Sequence, residues 1–191
     1  MKTLLTFCLM LTCATLHAQT VIVKGTGAGA VHRSGTGAGS VRGVAKTETT
    51  YSSGRFSVWS DNTNVVVDND SSLTWTRNAN IGGIMTWSNA VAYCSNLTHA
   101  GYGSGWRLPS MVELSRDASE GATNGLLSSG SPTLPTGHPF TNMATVGSLY
   151  YWSSTTHTEF TDYAWLADLD DGDAAYAEKA FTHYVWPCRG P

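Results

Sequence analysis

From Phe56 onward the apolar residues come in short runs broken by turn-forming residues. Phe56–Trp59 and Val65–Val67 read as short strands, Asn69–Ser72 supplies turn chemistry, and Leu73–Thr76 resumes an extended pattern. The period then changes. Trp87, Ala90, Val91, Cys94 and Leu97 recur at helical spacing, which predicts a helix whose buried stripe includes Cys94. A second helix opens at Ser110–Glu113, where the serine and the glutamate three residues later form a capping box. Pro109 forces the residue before it out of helical geometry, and Leu108, Met111 and Leu114 supply apolar anchors. Residues 115–149 are rich in Gly, Ser, Thr and Pro, a length uncommon for a loop without a function of its own. Strands return at Tyr150–Ser154. The segments Tyr163–Asp170 and Asp173–Lys179 flank Asp171 and Gly172 as a hairpin, and Tyr184–Trp186 closes the chain. This order predicts an α+β fold, an antiparallel sheet with two helices and a long loop region.

The N-terminal part differs. Residues 1–18 begin with Lys2, continue through the apolar run Leu4–Leu16 and end on small Ala18, the pattern of a secretory signal peptide. Secretion to the extracellular space or the cell surface follows, with the periplasm as another destination, and no later run is long enough to span a bilayer. Residues 19–55 form a Gly-rich basic linker, in which Gly25–Val31 recurs as Gly35–Val41 without strand, helix or collagen periodicity. The alternative is a repeat that packs only in a homo-oligomer. The segment carries five bases and one acid, a net of +4, whereas residues 56–191 carry five bases and thirteen acids, a net of −8. Removal of the signal leaves Cys94 and Cys188. In an oxidising compartment an even pair is most simply a disulfide, with two free buried thiols as the alternative.

Five ordered blocks carry a resemblance: Val67–Arg77, Thr86–Cys94, Trp106–Leu114, Tyr151–Thr155 and Cys188–Gly190. Over residues 56–191 the chain resembles the C-terminal domain of the Legionella collagen-like protein, a bacterial domain of unknown function. It is more distantly similar to formylglycine-generating-enzyme-like domains, which have the C-type-lectin-like fold. The resemblance implies that fold, a disulfide tying the Cys94 helix to the last strand at Cys188, and an adhesin-type binding module for glycans. The family precedent is sulfated glycosaminoglycan. A domain of net −8 repels a polyanion, so sulfated glycan and nucleic acid are poor partners for it.

The remaining chemistry points away from catalysis. No nucleophile elbow, metalloprotease helix or phosphate loop occurs, and His99, His138, His157 and His183 lack ligand spacing, so no enzyme, cofactor or metal is expected. Asp168, Asp170, Asp171 and Asp173 crowd one turn, but their spacing does not fit a calcium loop. Trp106, Arg107, Pro109, Ser110 and Glu113 read as a structural brace, with Trp106 under the long loop and Arg107 on backbone carbonyls or a carboxylate. Recognition is expected in the long loop and just after it, at His138, Phe140, Asn142, Tyr150, Tyr151 and Trp152. The ligand is a glycan or a surface protein. A matrix or fibre assembly module without glycan binding is the alternative.

Overall fold

The computed structural model describes residues 21–22, 46–115, 125–128, 133–144 and 150–190. The leader at 1–18, the repeat at 25–42 and parts of the long loop lie outside the described residues. Two sheets and two helices make up the rest, an α+β arrangement. The first sheet comprises β1 (Val21–Ile22), β2 (Glu48–Tyr51), β3 (Phe56–Trp59), β4 (Asn62–Asp68), β5 (Leu73–Thr76), β12 (Cys188–Arg189) and β7 (Trp106–Arg107), in that spatial order. The second comprises β10 (Ala174–Glu178), β9 (Tyr163–Asp168), β8 (Tyr150–Thr156), β11 (Thr182–Tyr184) and β6 (Ile84–Thr86). Helix α1 (Trp87–Asn96) follows β6, and the short α2 (Met111–Leu114) follows β7.

Alternation explains which residues form the core. Side chains two apart on a strand share a face, so Leu73 and Trp75 on β5 point inward together, 1% and 0% exposed. The C-terminal strand β12 returns between β5 and β7, pairing Cys188 with both Trp75 and Arg107. A continuous aromatic chain fills the interior. Phe56, Phe140, Trp186 and Trp75 meet edge-to-face at centroid distances of 5.0, 4.9 and 5.5 Å, a favoured geometry for aromatic rings. The Trp186 indole donates to the Thr76 carbonyl at 3.0 Å, which satisfies its one polar atom.

Four expectations change. Order begins before Phe56: β2 pairs along β3, Lys46 ion-pairs with Asp61, and Arg55 is buried. Arg55 forms a two-point bridge to Asp68, 3.1 and 2.9 Å, and also donates to the Gly125 carbonyl at 2.8 Å. The linker assigned to residues 19–55 therefore gives up its last ten residues to the fold, and Val21–Ile22 as the edge strand β1. Instead of one antiparallel sheet there are two, and β8 pairs with β11 in parallel. The hairpin β9–β10 intervenes between those strands, so the chain re-enters in the same direction. On α1 the buried stripe is Ala90 and Cys94, while Val91 is 38% exposed and Trp87 half-buried.

The disulfide is the fourth. Cys94 and Cys188 carry free, buried thiols. Cys94 packs with Ala90, Leu108 and Trp152, whereas Cys188 belongs to the cluster around Trp75 and Trp186. Burial pushes the Cys94 thiol up to about 12 and raises that of Cys188 as well, against the opposing pull of Arg107.

Candidate functional site

The segment from Trp106 to Glu113 is a brace. Arg107 donates from both terminal nitrogens to the Glu113 carboxylate, at 2.8 and 2.7 Å, and also to the carbonyls of Leu108 and Gly190. Glu113 in turn accepts from the Ser110 amide at 2.7 Å and the Ser110 hydroxyl at 2.9 Å, which closes the start of α2. Burial pushes the Glu113 carboxyl upward, but its bonds to Arg107 and Ser110 outweigh burial and hold it below its ordinary value. Pro109 is buried, and its carbonyl accepts from the Ser154 amide at 2.7 Å, tying the brace to β8. Trp106 is 2% exposed and packs against the rings of His99 and Tyr102.

The recognition set expected at 138–152 does not form a surface. Phe140, Tyr151 and Trp152 are 6%, 0% and 0% exposed, interior side chains of the aromatic core. The described parts of the long loop explain why: Leu126, Leu127, Leu134 and Phe140 all point inward, so the loop covers the core. His138 is half-buried beside Phe140, and burial lowers its pKa. Tyr150 is half-buried against His183, and the neighbouring Asp168 charge raises its pKa. Asn142 is exposed with φ +55°, a backbone conformation asparagine tolerates.

The solvent-facing aromatic chemistry lies elsewhere, on the β9–β10 hairpin and the turn after β8. The register sets Tyr176 opposite Trp165 and Glu178 opposite Tyr163. Ala164 and Leu166 pack into one core cluster, whereas Tyr163 and Trp165 lie on the opposite face with Ala167, where Trp165 is partly buried against the other cluster. Phe160 and Tyr176 are about half exposed, at 49% and 50%. The His157 ring stacks on Phe160 and Trp165, both at 5.1 Å, and meets Tyr176 at 4.6 Å. Five rings thus form one cluster, which opens to solvent at Phe160 and Tyr176. The Tyr163 hydroxyl donates to Glu178 at 3.0 Å, a bond that raises the tyrosine pKa. Lys179 is held by Thr156 and the Thr161 carbonyl and lies over the Trp87 ring at 4.3 Å.

This face was missed in the sequence, although its signal was present. Once Asp171 and Gly172 are placed at the turn, the alternation Tyr163, Trp165 and Tyr176, Glu178 falls on one side of the hairpin. The crowded aspartates serve that turn: Asp168 accepts the Asp170 amide at 2.8 Å and Asp171 accepts the Asp173 amide at 3.0 Å. Among the described residues no group of three or more His, Cys, Asp or Glu is placed to hold a metal ion.

Fold and surface together define an α+β domain of two β-sheets closed by its own C-terminal strand, with an outward aromatic face. Residues 64–189 match the Lcl C-terminal domain family, and the chain belongs to that family. Among curated proteins none matches it. No helix among the described residues is long and apolar enough to cross a membrane.

Proposed function

We propose that the protein is an exported, non-catalytic binding module of adhesin type whose ligand is a neutral glycan. The observation that carries this reading is the ring cluster in which Phe160 and Tyr176 are about half exposed and rest on the partly buried His157, Tyr163 and Trp165. Large apolar rings left in water are costly unless something covers them, and flat ring faces suit the C–H faces of pyranoses, which are themselves flat and weakly apolar. Glu159, Asp162 and Glu178 are exposed, adjoin the ring residues along the chain or across the hairpin, and offer carboxylate acceptors for sugar hydroxyls, Glu178 already accepting from Tyr163. The same carboxylates disfavour sulfated or uronic polymers. The C-type-lectin-like assignment belongs to this proposal too, and the insertion of β12 between β5 and β7 supports it.

A glycan array read at low and high salt tests the reading. Binding to neutral oligosaccharides that changes little with salt is the expected result, because contacts of this kind are not screened. Salt-sensitive capture of heparin-like polymers would overturn it, and a blank array would favour a structural or assembly module.

A further inference from the structure

The turn that carries Phe160 is organised by one ring nitrogen. The Nδ1 atom of His157 accepts hydrogen bonds from the backbone amides of Glu159 and Phe160, both at 3.2 Å. A nitrogen that accepts two N–H donors carries no proton of its own, so the neutral imidazole with its proton on Nε2 is the form that builds this turn. The same ring is stacked between Phe160 and Trp165 and touches Tyr176. We infer that His157 is the positioning residue of the aromatic face, and that protonation of its imidazole takes the face apart and releases a bound glycan. This rests on the glycan reading above.

The logic is local. An imidazolium presents N–H at both nitrogens, so Nδ1 would confront two backbone donors with a third. The Glu159 and Phe160 amides then lose their acceptor, the turn relaxes, and Phe160 leaves its place beside Tyr176. Imidazoles change charge within the range about pH 5–8, which makes the event accessible under mild acid. The ionisable groups around the ring are Glu159 and Asp162 on its own turn, Tyr163 on β9, Tyr176 and Glu178 on β10, and Lys179 after it. Lys179 is already engaged by Thr156 and Thr161.

Two variants separate the parts of the argument. His157→Asn keeps a side-chain acceptor for the turn but does not titrate; His157→Phe keeps a ring but has no acceptor. In the full chain, the amide NMR signals of Glu159 and Phe160 should move together with the His157 ring signals as pH falls from about 8 to about 5. In His157→Asn they should not move. With cellohexaose as probe, the wild type should lose about five- to tenfold in affinity over that range, roughly the worth of one or two such bonds. His157→Asn should bind equally at both ends, and His157→Phe weakly at both. Static Glu159 and Phe160 amides in the wild type, or equal pH profiles of binding in wild type and His157→Asn, would overturn the proposal. Titrating amides with no cellohexaose bound at any pH would leave the proton-dependent turn standing and overturn the glycan reading instead.

Discussion

Arg107 uses both of its terminal nitrogens on Glu113, and lysine cannot reproduce that planar fork. Arg107→Lys should therefore lose about 1 kcal/mol of stability, a discounted value because the pair is partly exposed, and melt about 3 °C lower. Differential scanning calorimetry checks this, and an unchanged melting temperature would contradict the brace. Phe140 was expected at the ligand and lies instead between Phe56 and Trp186. Phe140→Ala should cost about 3–5 kcal/mol, the range for emptying an aromatic core position, which denaturant unfolding will measure. The two thiols give a further readout. In protein lacking residues 1–18, which carry Cys8 and Cys13, alkylation in denaturant without reductant should add two labels, and in the folded protein none, because burial keeps both cysteines protonated. Intact mass decides the matter: no label in denaturant would mean that a disulfide exists. That both thiols are free and buried was not legible from sequence, where helix periodicity places Cys94 inward but cannot say which inward neighbours it meets.

Among the elements, β3, β5, the β9–β10 hairpin, α1 and α2 were legible because each rests on a local signal, namely alternation, a turn pair, helical spacing or a cap. What was not legible depended on pairing at a distance. The split into two sheets follows from β11 pairing with both β6 and β8, and nothing near β11 in sequence specifies those partners. Likewise the early start of the fold depends on Arg55 meeting Asp68 and Gly125. The aromatic face lies between these cases: its alternation is local, but only the hairpin register aligns Trp165 with Tyr176. Strand β11 also carries a pH-dependent prediction. Burial lowers the pKa of His183, packed edge-on against Trp152 at 4.8 Å, and of His138 beside the core. A histidine whose folded pKa is depressed binds its proton more readily in the unfolded chain. Stability is thus full above the unfolded value of about 6.5 and falls as pH drops below it. Melting temperatures measured across that range should decline towards acid, and less steeply in His183→Gln; equal slopes would contradict this.

For the molecule as a whole, the charge contrast between arm and domain is smaller than the sequence alone implies. Lys46 pairs with Asp61, Arg55 is buried on Asp68, and Glu48 is buried on Ser57. The domain that remains is acidic, closed by its own C-terminal strand, and its exposed large apolar side chains among the described residues include, besides Ile84 and Phe181, Phe160 and Tyr176 of the ring cluster. That surface is the central claim. Its most direct test is a titration of the full chain with a neutral oligosaccharide, followed residue by residue by NMR. The account predicts that the signals that move belong to His157, Phe160, Tyr163, Trp165, Tyr176 and Glu178, and that Tyr176→Ala abolishes the response without lowering the melting temperature. Movement confined to Asn142, Tyr150 and their neighbours, or an unaltered response in Tyr176→Ala, would contradict it.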